Sequence, residues 1–127
     1  MKSIYGKIAS SSLMIAGLAC ISACGSSTST SGAGSCTFNT GGLTTCYDYT
    51  GSAYTTTTAQ SLCTSTTVSG TTGGSYSTAA CSSSGRVGSC TVNSGQTSAY
   101  ILRYLSGFGT QTAQSSCTLL SGSFTAN

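Results

Sequence analysis

Gly34-Ser35-Cys36-Thr37-Phe38-Asn39-Thr40-Gly41 returns 54 residues later as Gly88-Ser89-Cys90-Thr91-Val92-Asn93-Ser94-Gly95, and this recurrence decides how the chain is read. The same shift lays Thr58-Ala59-Gln60-Ser61-Leu62-Cys63-Thr64 over Thr112-Ala113-Gln114-Ser115-Ser116-Cys117-Thr118. Fourteen of the 31 positions 34–64 are identical in this ungapped register, matched cysteines, asparagines, alanines and glutamines among them, which marks an internal duplication. Each copy implies a short strand at its first cysteine, a turn at Asn-Thr-Gly or Asn-Ser-Gly, and a second strand near residues 46–50 or 100–105. A short helix is then expected, with Tyr54 and Phe108 stapled onto Ala59 and Ala113. Thr55 is the expected cap in the first copy and Gly109 in the second. Ala59 and Cys63 share one helical face, as do Ala113 and Cys117, so those faces should look into the core. Final strands at residues 74–77 and 122–125 complete a small disulfide-rich α+β domain of two related ββαβ-like halves, residues 36–87 and 88–127.

Working outward from the repeat, Cys36 and Cys63 have counterparts in Cys90 and Cys117, whereas Cys46 aligns with Tyr100 and Cys81 has no counterpart. Cysteines that recur together are expected to pair together. Of the fifteen connectivities open to six cysteines, this favours Cys36 with Cys63, Cys90 with Cys117 and Cys46 with Cys81.

The chain has eight cysteines, and the two outside this set lie at the amino terminus. Lys2 and Lys7 precede an apolar stretch over residues 8–21, interrupted by Ser10, Ser11 and Ser12, the layout of a secretory signal. The stretch falls short of the ~20 residues that cross a bilayer. Ile21-Ser22-Ala23-Cys24 resembles the lipobox of bacterial lipoproteins, which implies removal of residues 1–23 and a thioether-linked lipid on Cys24. Cys20 is the rival site, but Gly17 stands where the motif has an aliphatic residue. Lipid on Cys24 also leaves six cysteines that can all pair in an oxidising compartment. Two or more acyl chains hold a protein stably at a membrane, so the expected membrane contact is through this lipid. By analogy with lipoprotein sorting, Gly25 in place of an aspartate after Cys24 favours the outer membrane. Residues 24–35 comprise the lipidated cysteine and a Gly/Ser/Thr tether, which lacks large apolar side chains and charge.

Composition narrows the function. Beyond the tether the charged side chains are Asp48, Arg86 and Arg103 alone, and the whole chain has no histidine, proline or tryptophan. A basic surface for nucleic acid is absent from such a sequence. A single carboxylate without histidine cannot assemble a glycosidase pair or an activated serine or cysteine nucleophile, so no catalytic residue is expected. Zinc and calcium sites lack their donors, and no metal or cofactor is expected. Serine and threonine supply 45 of the 104 residues from Cys24 onward. That bias suggests disorder, but nine aromatic residues from Phe38 to Phe124 and six cysteines oppose it.

Cys46-Tyr47-Asp48-Tyr49-Thr50-Gly51, Tyr54-Thr55, Ala59-Gln60, Cys63, Gly74-Ser75-Tyr76 and Gly85-Arg86-Val87-Gly88-Ser89-Cys90 together resemble small cysteine-bearing repeat lipoproteins of spirochaetes and some other Gram-negative bacteria. The resemblance spans nearly the whole domain and implies an envelope location; it brings no catalytic residues. The expected role is therefore a structural or surface-coat lipoprotein. One rival is a surface binding module, an adhesin or glycan binder, whose tyrosines would lie together in a shallow concavity, although core packing is the expected place for these rings. Another is a small enzyme inhibitor that projects Arg86 on the loop 82–89. Asp48 is expected to be a solvent-exposed or weakly paired charge; the alternatives are that, with Arg103, it makes a polar contact between the halves or belongs to a ligand site.

Overall fold

A computed structural model describes residues 32–127. It is an α+β domain, mostly antiparallel sheet, with two helices and three disulfides. Strands β1 (Ser35–Thr40) and β2 (Leu43–Tyr49) form a hairpin around Gly41 and Gly42, with φ of 57° and 83°. Two positive φ values in a two-residue loop match the twist of the flanking strands and suit glycine. The turn thus falls at Gly41-Gly42, while Asn39 and Thr40 continue the strand. Helix α1 (Thr56–Ser65) follows. Next come the short hairpin β3 (Thr67–Val68) and β4 (Thr71–Thr72), and then β5 (Ser75–Ser77). Beyond the connection 78–87 the chain forms β6 (Gly88–Val92), β7 (Tyr100–Tyr104), α2 (Thr110–Leu119) and β8 (Ser123–Ala126).

The six long-range strands lie in the order β5-β1-β2-β7-β6-β8, every neighbour antiparallel. Residues directly opposite one another share a face of the sheet. The pairings therefore line up Tyr76, Cys36, Tyr47, Leu102, Cys90 and Phe124 in one row across all six strands. Both helices pack on this face. Cys63 of α1 is bonded to Cys36, and Cys117 of α2 to Cys90, each sulfur fully buried. Ala59 and Ala113, four residues before the helical cysteines, are also fully buried, because i and i+4 stack on one helix face.

Two apolar clusters result. One gathers Cys36, Phe38, Tyr49, Ala59 and Cys63; the other gathers Cys90, Val92, Leu102, Tyr104, Ala113 and Cys117. Tyr47 packs against both and joins them. Its ring centroid lies 5.7 Å from those of Phe38 and Tyr100.

The helix starts differ as their cap residues dictate. Thr55 closes a capping box with Thr58, accepting from the Thr58 N–H at 3.2 Å while its own N–H donates to Thr58 Oγ1 at 2.8 Å. Gly109 occupies the corresponding place before α2 and has no side chain to do so.

Two sequence expectations shift. Cys36 lies opposite Tyr47, whereas Cys90 lies opposite Leu102, so the ungapped register slips by one residue between β6 and β7. The extra residue sits in the loop 93–99, which bonds back to the connection after β2: Gly51 and Thr50 N–H groups donate to Ala99 O, and Ala53 N–H to Thr97 O. The sheet also engages residues ahead of Cys36. Ser35 opens β1 and is buried, Ala33 N–H donates to Tyr49 O, and Tyr76 Oη donates to Ala33 O at 2.7 Å.

Candidate functional site

The face of the sheet away from the helices carries the domain's most unusual chemistry. Its rows read Ser77, Ser35, Asp48, Ile101, Thr91, Ser123 and Ser75, Thr37, Cys46, Arg103, Ser89, Thr125. Asp48 and Arg103 are diagonal neighbours on the central strands β2 and β7, and Arg103 Nε donates to Asp48 Oδ2 at 2.6 Å. The second carboxylate oxygen, Oδ1, accepts from the Cys81 N–H at 2.7 Å. Asp48 is buried, and both of its oxygens are engaged.

The connection 78–87 crosses this face. The Cys46–Cys81 disulfide and the Cys81–Asp48 hydrogen bond fasten it, together with a bond from Ser35 Oγ to Ala79 O at 2.7 Å. A cavity of about 500 Å³ lies between the sheet and this connection. Gly32, Gly34, Thr50, Ala79, Ala80 and Ile101 line it alongside Asp48 and Arg103. The side chain of Arg103 is 19% exposed, and its two terminal amino groups have no hydrogen-bond partner among the described residues.

On the opposite face Phe38, Tyr47, Tyr49, Tyr54, Leu62, Thr66 and Tyr100 border a shallower cleft of about 210 Å³ beside α1. Tyr49 and Tyr54 have ring centroids 4.9 Å apart, and Tyr54 Oη donates to Ser98 O at 3.2 Å. None of the domain's nine aromatic side chains is fully exposed: Phe38, Tyr49 and Tyr104 are buried and the others half-buried. Burial, followed by the neighbouring phenols, pushes Tyr49 and Tyr104 up to about 12 and raises Tyr47 and Tyr100. These phenols stay protonated at neutral pH and pack as neutral rings rather than acting as bases.

The structure joins Cys36 to Cys63, Cys46 to Cys81 and Cys90 to Cys117, so every cysteine among the described residues is oxidised. Cys24, the lipobox and most of the tether lie outside the described residues. Arg86 is half-buried, and its Nε and Nη2 both donate to Asn127 Oδ1, at 3.0 and 2.7 Å. It fastens the last residue rather than projecting from its loop. Among the described residues no helix is long and apolar enough to cross a membrane. No family model, curated protein or solved structure matches this chain.

Asp48 is buried with both oxygens engaged, against the sequence expectation of a solvent-exposed or weakly paired charge; the sequence offered its contact with Arg103 only as an alternative. It gave no sign of the cavity, because the roof comes from the connection 78–87, which has no counterpart in the repeat. The signal that could have found it was the coincidence of unrepeated residues: Cys46, Asp48 and Cys81 all lack equivalents in the second copy.

Proposed function

We propose that this protein is a lipid-anchored envelope lipoprotein without catalytic activity, held at the outer membrane through Cys24 and serving a structural or surface-coat role. The observation that carries the proposal is the cysteine arithmetic. All six cysteines from Cys36 onward are consumed in three intradomain bonds, so the domain has no free thiol and suits an oxidising compartment. Cys24, at the end of the lipobox-like Ile21-Ser22-Ala23-Cys24, is then the cysteine that the motif marks for acylation. A neutral, hydroxyl-rich surface over a covalently stapled core suits a durable exposed layer.

Within this proposal the domain arose by duplication of a ββαβ unit, the first copy enlarged by the β3–β4 hairpin. The sheet order supports it, since β5-β1-β2 and β8-β6-β7 follow the same sequence from each edge to the centre.

The test is metabolic labelling with a radiolabelled fatty acid, followed by membrane fractionation. The wild type should label and sediment with the outer membrane, while Cys24→Ala should lose the label and leave the membrane yet keep all three disulfides. A Cys24→Ala protein that remains fully membrane-bound would refute the anchor. A second proposal, a surface binding module, is favoured by the cleft in which Tyr47, Tyr54 and Tyr100 converge, an arrangement that suits stacking against a sugar ring. The half-buried state of these rings supports core packing first.

A further inference from the structure

Two of the three charged side chains beyond the tether, Asp48 and Arg103, sit at one cavity, and Thr78, Ala79 and Ala80 that line it belong to the connection tied down by the one disulfide with no counterpart in the repeat. The connection 78–87 is fastened by the disulfide, by the Cys81–Asp48 hydrogen bond, and by further bonds from Ser35 Oγ to Ala79 O and from Val87 N–H to Tyr104 O. None of these uses Arg103. The arginine instead spends one donor on Asp48, and its terminal amino groups, which have no hydrogen-bond partner among the described residues, lie beside a space of about 500 Å³, within the size range of small-molecule sites.

We propose that this cavity binds a small monocarboxylate with an apolar body, its carboxylate seated on the outer edge of the Arg103 guanidinium. Asp48 is the positioning residue: by taking Nε it fixes the plane of the guanidinium and leaves the terminal fork, whose two parallel donors match the two oxygens of a carboxylate. Apart from the charged pair the lining is Gly32, Gly34, Ala79, Ala80 and Ile101, with the hydroxyl-bearing Tyr49, Thr50 and Thr78 among them, which suits a mainly apolar body with room for one further polar contact. The Asp48–Arg103 pair is already neutral as a unit, so a dianion such as phosphate would bring two uncompensated charges into a partly buried site, against one for a carboxylate. The roof is covalently held, so the space is preformed and the ligand pays little ordering cost. The site stands independently of how the chain is anchored.

The experiment titrates the detergent-solubilised full protein with 3-phenylpropionate and follows the backbone amides of Ala79, Ala80 and Ile101 by NMR. Those amides should shift saturably. The neutral isostere 3-phenylpropionamide should bind about tenfold more weakly, the difference between a charge-assisted and a neutral hydrogen-bonded contact. Arg103→Lys, which keeps the charge beside Asp48 but loses the fork, should weaken the acid by a similar factor. No saturable shift at these amides, or equal binding of acid and amide, overturns the proposal. So does binding unchanged in Arg103→Lys, or inorganic phosphate binding as tightly as the acid. The comparison of acid with amide uses the wild type alone and holds even if the variant fails to fold.

Discussion

Replacing the three disulfides one at a time by serine pairs separates what cross-linking contributes from what burial contributes. The bonds close loops of similar length, with sequence separations of 27 for Cys36–Cys63 and Cys90–Cys117 and 35 for Cys46–Cys81. Chain entropy alone therefore makes them nearly equal, about 3.6 kcal/mol for the shorter loops and about 3.8 kcal/mol for the longer. Their surroundings differ. Cys36, Cys63, Cys90 and Cys117 are fully buried beneath the helices, where a serine hydroxyl finds little but its facing serine and leaves about 1–3 kcal/mol of unsatisfied polarity. Cys46 is as buried as these but on the other face, where Thr37 Oγ1 already donates to its sulfur at 3.3 Å, and Cys81 is half-buried. A serine there has partners. Cys46→Ser/Cys81→Ser should thus cost about 4 kcal/mol by the same loop-closure account. Either core pair should cost about 5–7 kcal/mol once the buried hydroxyls are added. The assay is non-reducing guanidinium denaturation, with melting temperature as a second readout: the Cys46–Cys81 variant should melt roughly 15–30 °C below the wild type. If removing Cys46–Cys81 proves as costly as removing a core pair, the division between a helix-covered core and a polar second face is wrong.

Three further outcomes follow from the packing. A Cβ on Gly74 would sit 2.5 Å from Cys36 Sγ, and one on Gly122 would sit 3.0 Å from Cys117 Sγ and press on Cys90 Sγ. Gly74→Ala and Gly122→Ala should each lower the unfolding free energy by about 1–3 kcal/mol in denaturant titrations. Thr55→Ala, which breaks the capping box of α1, should cost about 1 kcal/mol, while Gly109→Ser, at a position with open space around its Cβ, should stabilise α2 by a few tenths of a kcal/mol. Tyr49 and Tyr104 bind their protons more tightly folded than unfolded, so their contribution is intact below pH 10 and is lost as pH rises from 10 towards 12. Alkaline titration of stability should fall across that window. Tyr104→Phe should reduce the fall and cost nothing at neutral pH, because the buried Tyr104 Oη has no partner among the described residues.

What the sequence determined by itself was local or repeated. Thr55 and Thr58 announce a helix start through bonds within one turn, and Ala59 with Cys63, or Ala113 with Cys117, shows its buried side by helical spacing alone. The recurrence of Cys36 and Cys63 as Cys90 and Cys117 pointed to the bonds that the structure carries, and left Cys46 and Cys81 for each other. The hairpin turn was misplaced because Asn-Thr-Gly and Gly-Gly compete as turn sequences. Only the register of β1 with β2, which sets Thr40 opposite Leu43 and leaves Gly41 and Gly42 at positive φ, settled between them.

Tertiary structure alone decided everything that depends on how β2 meets β7. Asp48 and Arg103 are 55 residues apart, and no local pattern links them. They meet because antiparallel register sets Cys46 opposite Arg103 and Asp48 opposite Ile101, and that register follows from which side chains must face the helices. Tyr47 and Leu102 have to point towards the helical face, so Asp48 and Arg103, each the next residue along its strand, point to the other. The one-residue slip in the repeat, the docked loop 93–99 and the roofed cavity all descend from that same requirement. A period of two residues along a strand can be read from sequence. Which strand lies beside it, and in what register, is fixed only when the two apolar clusters close on Tyr47.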